Sequence, residues 1–250
     1  MIVNDHHSYF EMIPQHEHAR ISYEIIKNWG DTSIEESPFW DALLLAVREH
    51  DSAWIPLDAS PKLNRENNKP FSFIDYPEKE KMAAYQHGIQ TVADKNPYSG
   101  MLNSLHYASF YKHNKSKEAA AFLQEETARQ AKLRKSLHPL PEEEFHLKLL
   151  QFCDDLSLYV SMNNPGTTKE EEVNWFKNGF RHTFDFLDYR TIQPRFKSKE
   201  QVELCPFPLR SSLEVSINGI SVSKKKIEEK SLLSAFETGE STERKFTFVP

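Results

Sequence analysis

A chain of 250 residues, 38% hydrophobic and 12% aromatic, is long enough to bury one sizeable core. A formal net charge of -6 argues against a broad phosphate-backbone surface, so a nucleic-acid partner is not expected, and the Lys224–Lys226 and 132–135 basic clusters read as solvated faces. A mean hydropathy of -0.65 without a long apolar run leaves no expected membrane span, and two distant cysteines, Cys153 and Cys205, offer neither a disulfide framework nor a CxxC pair.

The opening MIVNDHHSYFEMI lacks the basic and apolar regions of a secretory signal, so a soluble, cytoplasmic protein is expected. From His16 to Trp29, Ile21, Ile25 and Trp29 recur at helical spacing before Gly30, which predicts a helix with a C-cap glycine. Ser37-Pro38 starts a second helix whose stripe of Phe39, Leu43, Ala46, Val47 and His50 ends in the pair His50-Asp51. Four prolines between 55 and 77 predict an ordered, irregular loop of the kind that often carries function. Further helices are predicted at about 78–95, 97–113, 116–136 and 142–162, completing a bundle by Asn163. The aromatic segment 165–190 packs on it. Leu213–Ile217, Asn218-Gly219 and Ile220–Val222 read as a β-hairpin, followed by a short helix at about 228–237 and a strand from Lys245 to Val249. The expected fold is mainly α: a helical metal-binding domain over 1–190 and a small α+β appendage over 191–250.

A His-Asp pair in a chain with 11 histidines is weak evidence by itself, and its context strengthens it. His18 projects on the side of Ile21, Ile25 and Trp29, whereas His16 points away. In FHLKLLQFCDDLSLYVS one face carries Phe145, Leu149, Phe152, Leu156 and Tyr159, which puts Asp155 at its margin and Asp154 nearly opposite, so Asp155 is the preferred ligand. His106 lies on the Leu102/Phe110 stripe and is a further candidate, with His87 and His113 more distant ones. Each has an ordinary alternative as a hydrogen-bonded core histidine or an ion-paired carboxylate.

The order His18, His50-Asp51, Asp155 resembles the HD-domain superfamily of metal-dependent phosphohydrolases over roughly residues 15–160. More narrowly, IPQHEHARIS, REHDSAW, LHYASFY and DDLSLYV are similar to a bacterial family of unknown function related to that superfamily. The resemblance implies an HD-like all-helical bundle with ligand roles for His18, His50, Asp51 and Asp155. A glutamate that commonly follows the pair by three positions is replaced here by Trp54.

The expected cofactor is a divalent metal (Mn, Fe, Mg or Zn), with His106 as an extra ligand. The expected reaction is hydrolysis of a small phosphorylated substrate or nucleotide, Asp51 doubling as a base beside His106. Arg20 or Lys62 would offer charge to the phosphate, Trp54 a wall or a stacking surface, and Gln15 and Gln151 supporting hydrogen bonds. Two readings of other classes stay open: a di-iron HD-type oxygenase, and a non-catalytic ligand-binding protein. For the appendage, covering the pocket, forming a homodimer and bracing the bundle are all open.

Overall fold

The computed structural model describes residues 1–137 and 142–250. The chain opens with two strands, β1 (Ile2–Asp5) and β2 (Tyr9–Ile13), before α1 (Gln15–Lys27) and α2 (Trp40–Glu49). A short α3 (Ile55–Asp58) and the two-stranded ladder β3 (Leu63–Asn64) and β4 (Lys69–Pro70) occupy the proline-rich stretch. Four longer helices follow: α4 (Glu78–Lys95), α5 (Pro97–Tyr111), α6 (Lys117–Arg134) and α7 (Glu143–Met162). The chain ends with β5 (Gln193–Phe196), β6 (Gln201–Cys205), β7 (Leu213–Ser223), α8 (Lys224–Glu229), α9 (Leu232–Glu237) and β8 (Glu240–Val249). Among the described residues no helix is long and apolar enough to cross a membrane.

Six strands form one mixed sheet in the order β1-β2-β7-β8-β6-β5, antiparallel except for the parallel β6–β8 pair. This corrects the expected fold class. The molecule is α+β, with a sheet built from both ends of the chain, and not a mainly α bundle carrying a small appendage. The boundary expected at 190/191 does not separate the helices from the sheet, because β1 and β2 lie in the same sheet as β5 to β8.

The predicted hairpin is also replaced. β7 runs unbroken through Asn218-Gly219, pairing with β8 from Leu213↔Phe248 to Ser221↔Glu240. Two contacts hold the pair extended: Glu17 of α1 accepts from the Asn218 backbone and side-chain N–H groups, and Gly219 passes close to Met12 and Ile13 of β2. A dipeptide that favours a turn is overridden by the β8 ladder on one side and the Glu17 contacts on the other.

One face of the sheet, through Val215, Ile217, Val202, Leu204, Phe246 and Phe248, joins the core formed by α1, α2 and α7 and the aromatics Phe176, Phe180 and Phe184. The other face is covered near its edge by α9, where Leu232 and Ala235 meet Phe10, Met12 and Val222. A second core, with Trp54, Tyr85, Ile89, Tyr107 and Phe122, fills the space between α4, α5, α6 and the turn after α2. The polar cluster described below lies where these two cores meet.

Local signals place the helices. Asn96 caps α5 by accepting from the N–H groups of Tyr98 and Ser99, with Pro97 at the first helical position, and Ser116 caps α6 through Ala119. Gly88 of α4 lies against Ala53 in the turn that follows Asp51: a Cβ there would sit 2.5 Å from Ala53 Cβ and 2.9 Å from its Cα. Gly88→Ala gains about 1 kcal/mol of helix propensity but forces α4 off that turn at an overpacking cost of about 1–3 kcal/mol. A lowered melting temperature in thermal denaturation is the expected result.

Candidate metal centre

Four segments bring five ionisable side chains together: His18 from α1, His50-Asp51 from the end of α2, His106 from α5 and Asp154 from α7. All are buried, none more than 6% exposed. Such burial is costly unless each group finds a partner or a cation. α2 ends at His50, a short turn over Ser52–Trp54 closed by the Trp54 N–H to Asp51 carbonyl bond reverses the chain, and Pro56 follows in α3. This local stop aims both residues of the pair inward.

His50 carries the most informative geometry. Its Nδ1 lies 2.7 Å from the Val47 carbonyl, an acceptor only, so that nitrogen holds the proton. The opposite nitrogen, Nε2, lies 3.3 Å from Asp154 Oδ1 at an angle that makes no hydrogen bond, and is buried without a partner. In the neutral ring it presents a bare lone pair to the cluster. Burial favours that neutral ring, but the carboxylates of Asp154 and Asp51 outweigh it and raise the pKa to about 9 without a metal.

His18 has the same logic. With the Ser157 hydroxyl donating to the Asp154 carbonyl at 2.9 Å, His18 Nδ1 donates to Ser157 at 2.9 Å, and Nε2 turns to Asp51 Oδ2 at 2.7 Å. Asp51 is further held by the Gln15 side chain at 3.1 Å and the Tyr107 hydroxyl at 3.2 Å. Burial alone would raise its pKa; the His18 bond and the His50 charge prevail and hold it below the usual carboxylate range. Asp154 is likewise held low, against burial, by His50, His106 and His18. His106 Nε2 lies 3.6 Å from Asp154 Oδ2, and burial drives this ring's pKa down to about 4, which keeps it neutral. Its Nδ1 is buried without a partner, so His106 is the least supported of the five.

Among the described residues two groups have ligand atoms mutually within 4.8 Å: His18, His50 and Asp51, and His50, His106 and Asp154. Ligand bonds of about 2.0–2.2 Å separate neighbouring donors by roughly 3 Å, which matches the spacings of 2.7, 3.3 and 3.6 Å. The donor set is two or three imidazoles with two carboxylates, each supporting hydrogen bond on His18 and His50 fixing the tautomer a metal needs.

A cavity of about 640 Å³ opens onto the cluster, reaching Asp51, Asp154 and His106 at its floor. Its wall is largely aromatic, and among the charged side chains it includes Glu78, Lys81, Asp155 and Arg181.

A family model described as Protein of unknown function (DUF3891) matches residues 1–224. The chain belongs to that family. No curated protein and no solved structure matches it. The DUF3891 match spans every residue of the cluster and β1 to β7. It is not an HD-superfamily match, and the six-stranded sheet is incompatible with the all-helical bundle that the HD resemblance implied, so that resemblance is withdrawn.

Of the residues singled out in the sequence, the DUF3891 chain brings His18, His50, Asp51 and His106 together and leaves Asp155 outside. Asp155 is paired with Arg181 through Nε at 2.9 Å and Nη2 at 3.2 Å, and its neighbour Asp154 faces the histidines. The choice of Asp155 assumed one buried face on α7. In the fold α7 is buried nearly all round from Leu149 to Ser161, so the second face, with Leu150, Asp154, Ser157 and Ser161, looks into the cluster and α1. Gln15 supports Asp51 directly, whereas Gln151 bonds Ser109 and His182. Trp54 lines the cavity. Arg20 reaches the Ser216 carbonyl and Glu17, Lys62 pairs with Glu80, and His16, His87 and His113 are exposed. Sequence reasoning passed over Ser22, Ser157 and Tyr107. The available signal was hydroxyl-bearing residues on otherwise apolar helix faces.

Proposed function

We propose that this chain is a metal-dependent hydrolase of small organic phosphate esters, holding one divalent cation with His18, His50, Asp51 and Asp154, with His106 beside them at the cavity floor. The observation that carries it is His50: a proton fixed on Nδ1 by Val47 and an unpartnered Nε2 turned toward Asp154. A cation there supplies Lewis acidity, activating water and polarising the bond to be cleaved.

Charge favours the same reading. Asp51, Glu78, Asp154 and Asp155 line the cavity against Lys81 and Arg181, so four carboxylates face two cations. An anionic ester meets a repulsive cavity until a divalent ion neutralises the surplus. Asp51 is committed to three donors and acts as a holder. Among the described residues the Asp154 carboxylate accepts no conventional hydrogen bond, which leaves it the carboxylate placed to take a proton from attacking water.

Metal analysis of the purified protein, paired with a screen of phosphate esters on wild type and Asp51→Ala, tests the proposal. About one divalent ion per chain and a hydrolysis that Asp51→Ala abolishes are expected. A chain that takes up no Mn, Fe, Mg or Zn refutes it.

A further inference from the structure

Arg181 lies at the cavity wall beside the cluster. Asp155 grips its Nε and Nη2, which spends two of its five N–H donors and fixes the plane of the guanidinium. Among the described residues Nη1 has no partner, and Arg181 lines the same cavity as Asp154 and His106. Its charge reaches His106, whose pKa it helps to lower. A planar fork pre-oriented by a carboxylate and facing a cavity is the chemistry that recognises an oxyanion.

The same cavity also carries an apolar surface. Trp175 is 54% exposed and Phe110 47%, both lining the cavity, and Phe73 meets the Trp175 ring edge-on at 6.1 Å. Large aromatics left uncovered at the mouth of a cavity mark an apolar contact site for what enters it. Phe110 also packs edge-on against His106 at 4.8 Å, which joins this wall to the cluster. A volume of about 640 Å³ is the size of a site for one drug-sized molecule.

We propose that the substrate is a small organic oxyanion carrying a flat apolar group, its oxyanion held by Arg181 and its apolar group by the wall of Phe73, Phe110 and Trp175. This rests on the reading of the cluster as a metal centre, and it names the substrate class of that site. Asp155, adjacent in sequence to a cluster residue, thereby serves recognition by holding Arg181.

The test is calorimetric titration of the metal-loaded chain with phenylphosphonate, inorganic phosphate and benzyl alcohol; the P–C bond of phenylphosphonate is not an ester, so binding is read without turnover. Phenylphosphonate is expected to bind at least about tenfold tighter than either fragment, since it engages both surfaces. Arg181→Ala weakens phenylphosphonate and inorganic phosphate by at least about tenfold, as loss of an anchoring charge does. Trp175→Ala weakens phenylphosphonate alone, towards the affinity of inorganic phosphate. Both side chains are about half exposed, so both variants keep the wild-type melting temperature and metal content. Equal binding of phenylphosphonate and inorganic phosphate by wild type, or unchanged phosphate binding by Arg181→Ala, overturns the inference. A wild-type chain that takes up no metal refutes the metal-centre reading and this inference with it, whereas metal uptake with unchanged phosphate binding by Arg181→Ala overturns this inference alone.

Discussion

Replacing His50 by alanine is expected to abolish metal uptake. In the wild type the ring turns Nε2 toward the cluster in a direction fixed from behind by the Val47 carbonyl, and both ligand groups of the site share it. Residues that only support a ligand cost about 10–100-fold in metal affinity when lost; loss of the shared ligand exceeds that. The same variant separates metal stabilisation from fold stability. A metal at 100 times its Kd stabilises the wild type by about 2.7 kcal/mol, a rise of roughly 5–10 °C in melting temperature for a chain of this size. His50→Ala shows no such rise. Differential scanning calorimetry with and without Mn or Zn reads both effects, and a metal-induced shift retained in His50→Ala removes His50 from the centre.

The same residues show how far a sequence can be read. His18 was legible because α1 has one apolar stripe and a helical period of 3.6 assigns it to that stripe. His50-Asp51 was legible because an amphipathic helix ends there, and His106 because it shares a stripe with Leu102. The long helices α4 to α7 carried their own punctuation, Asn96-Pro97 and Ser116 among it. The sheet was not legible. β1 and β2 hold only nine residues between them and become strands by pairing with each other and with β7, more than 200 residues away. Asn218-Gly219 carried a strong local turn signal, and only the β8 ladder with the Glu17 contacts decides that β7 passes straight through it. Long-range pairing overrules local propensity at such a segment.

Asp154 and Asp155 form the sharpest contrast, since the two carboxylates are adjacent and differ only in which way α7 turns them. Asp154→Asn keeps the size of the side chain and removes its charge from beside His50 and His106. Metal content is expected to fall below a tenth of the wild-type level, because an amide oxygen is a far weaker ligand for such a cation than a carboxylate. Asp155→Asn is expected to keep full metal content. Its direct loss is the pair with Arg181, whose side chain is 47% exposed, so its stability cost is about 0–1 kcal/mol. Inductively coupled plasma analysis of the two variants, purified side by side with wild type, decides between the assignments. Metal lost from Asp155→Asn and kept by Asp154→Asn would reverse the geometry described above. Because α7 is buried on nearly every side, its hydrophobic periodicity does not single out the face that reaches the histidines; that is set by Ser157, one turn beyond Asp154, whose hydroxyl meets His18 and ties the inner face of α7 to α1.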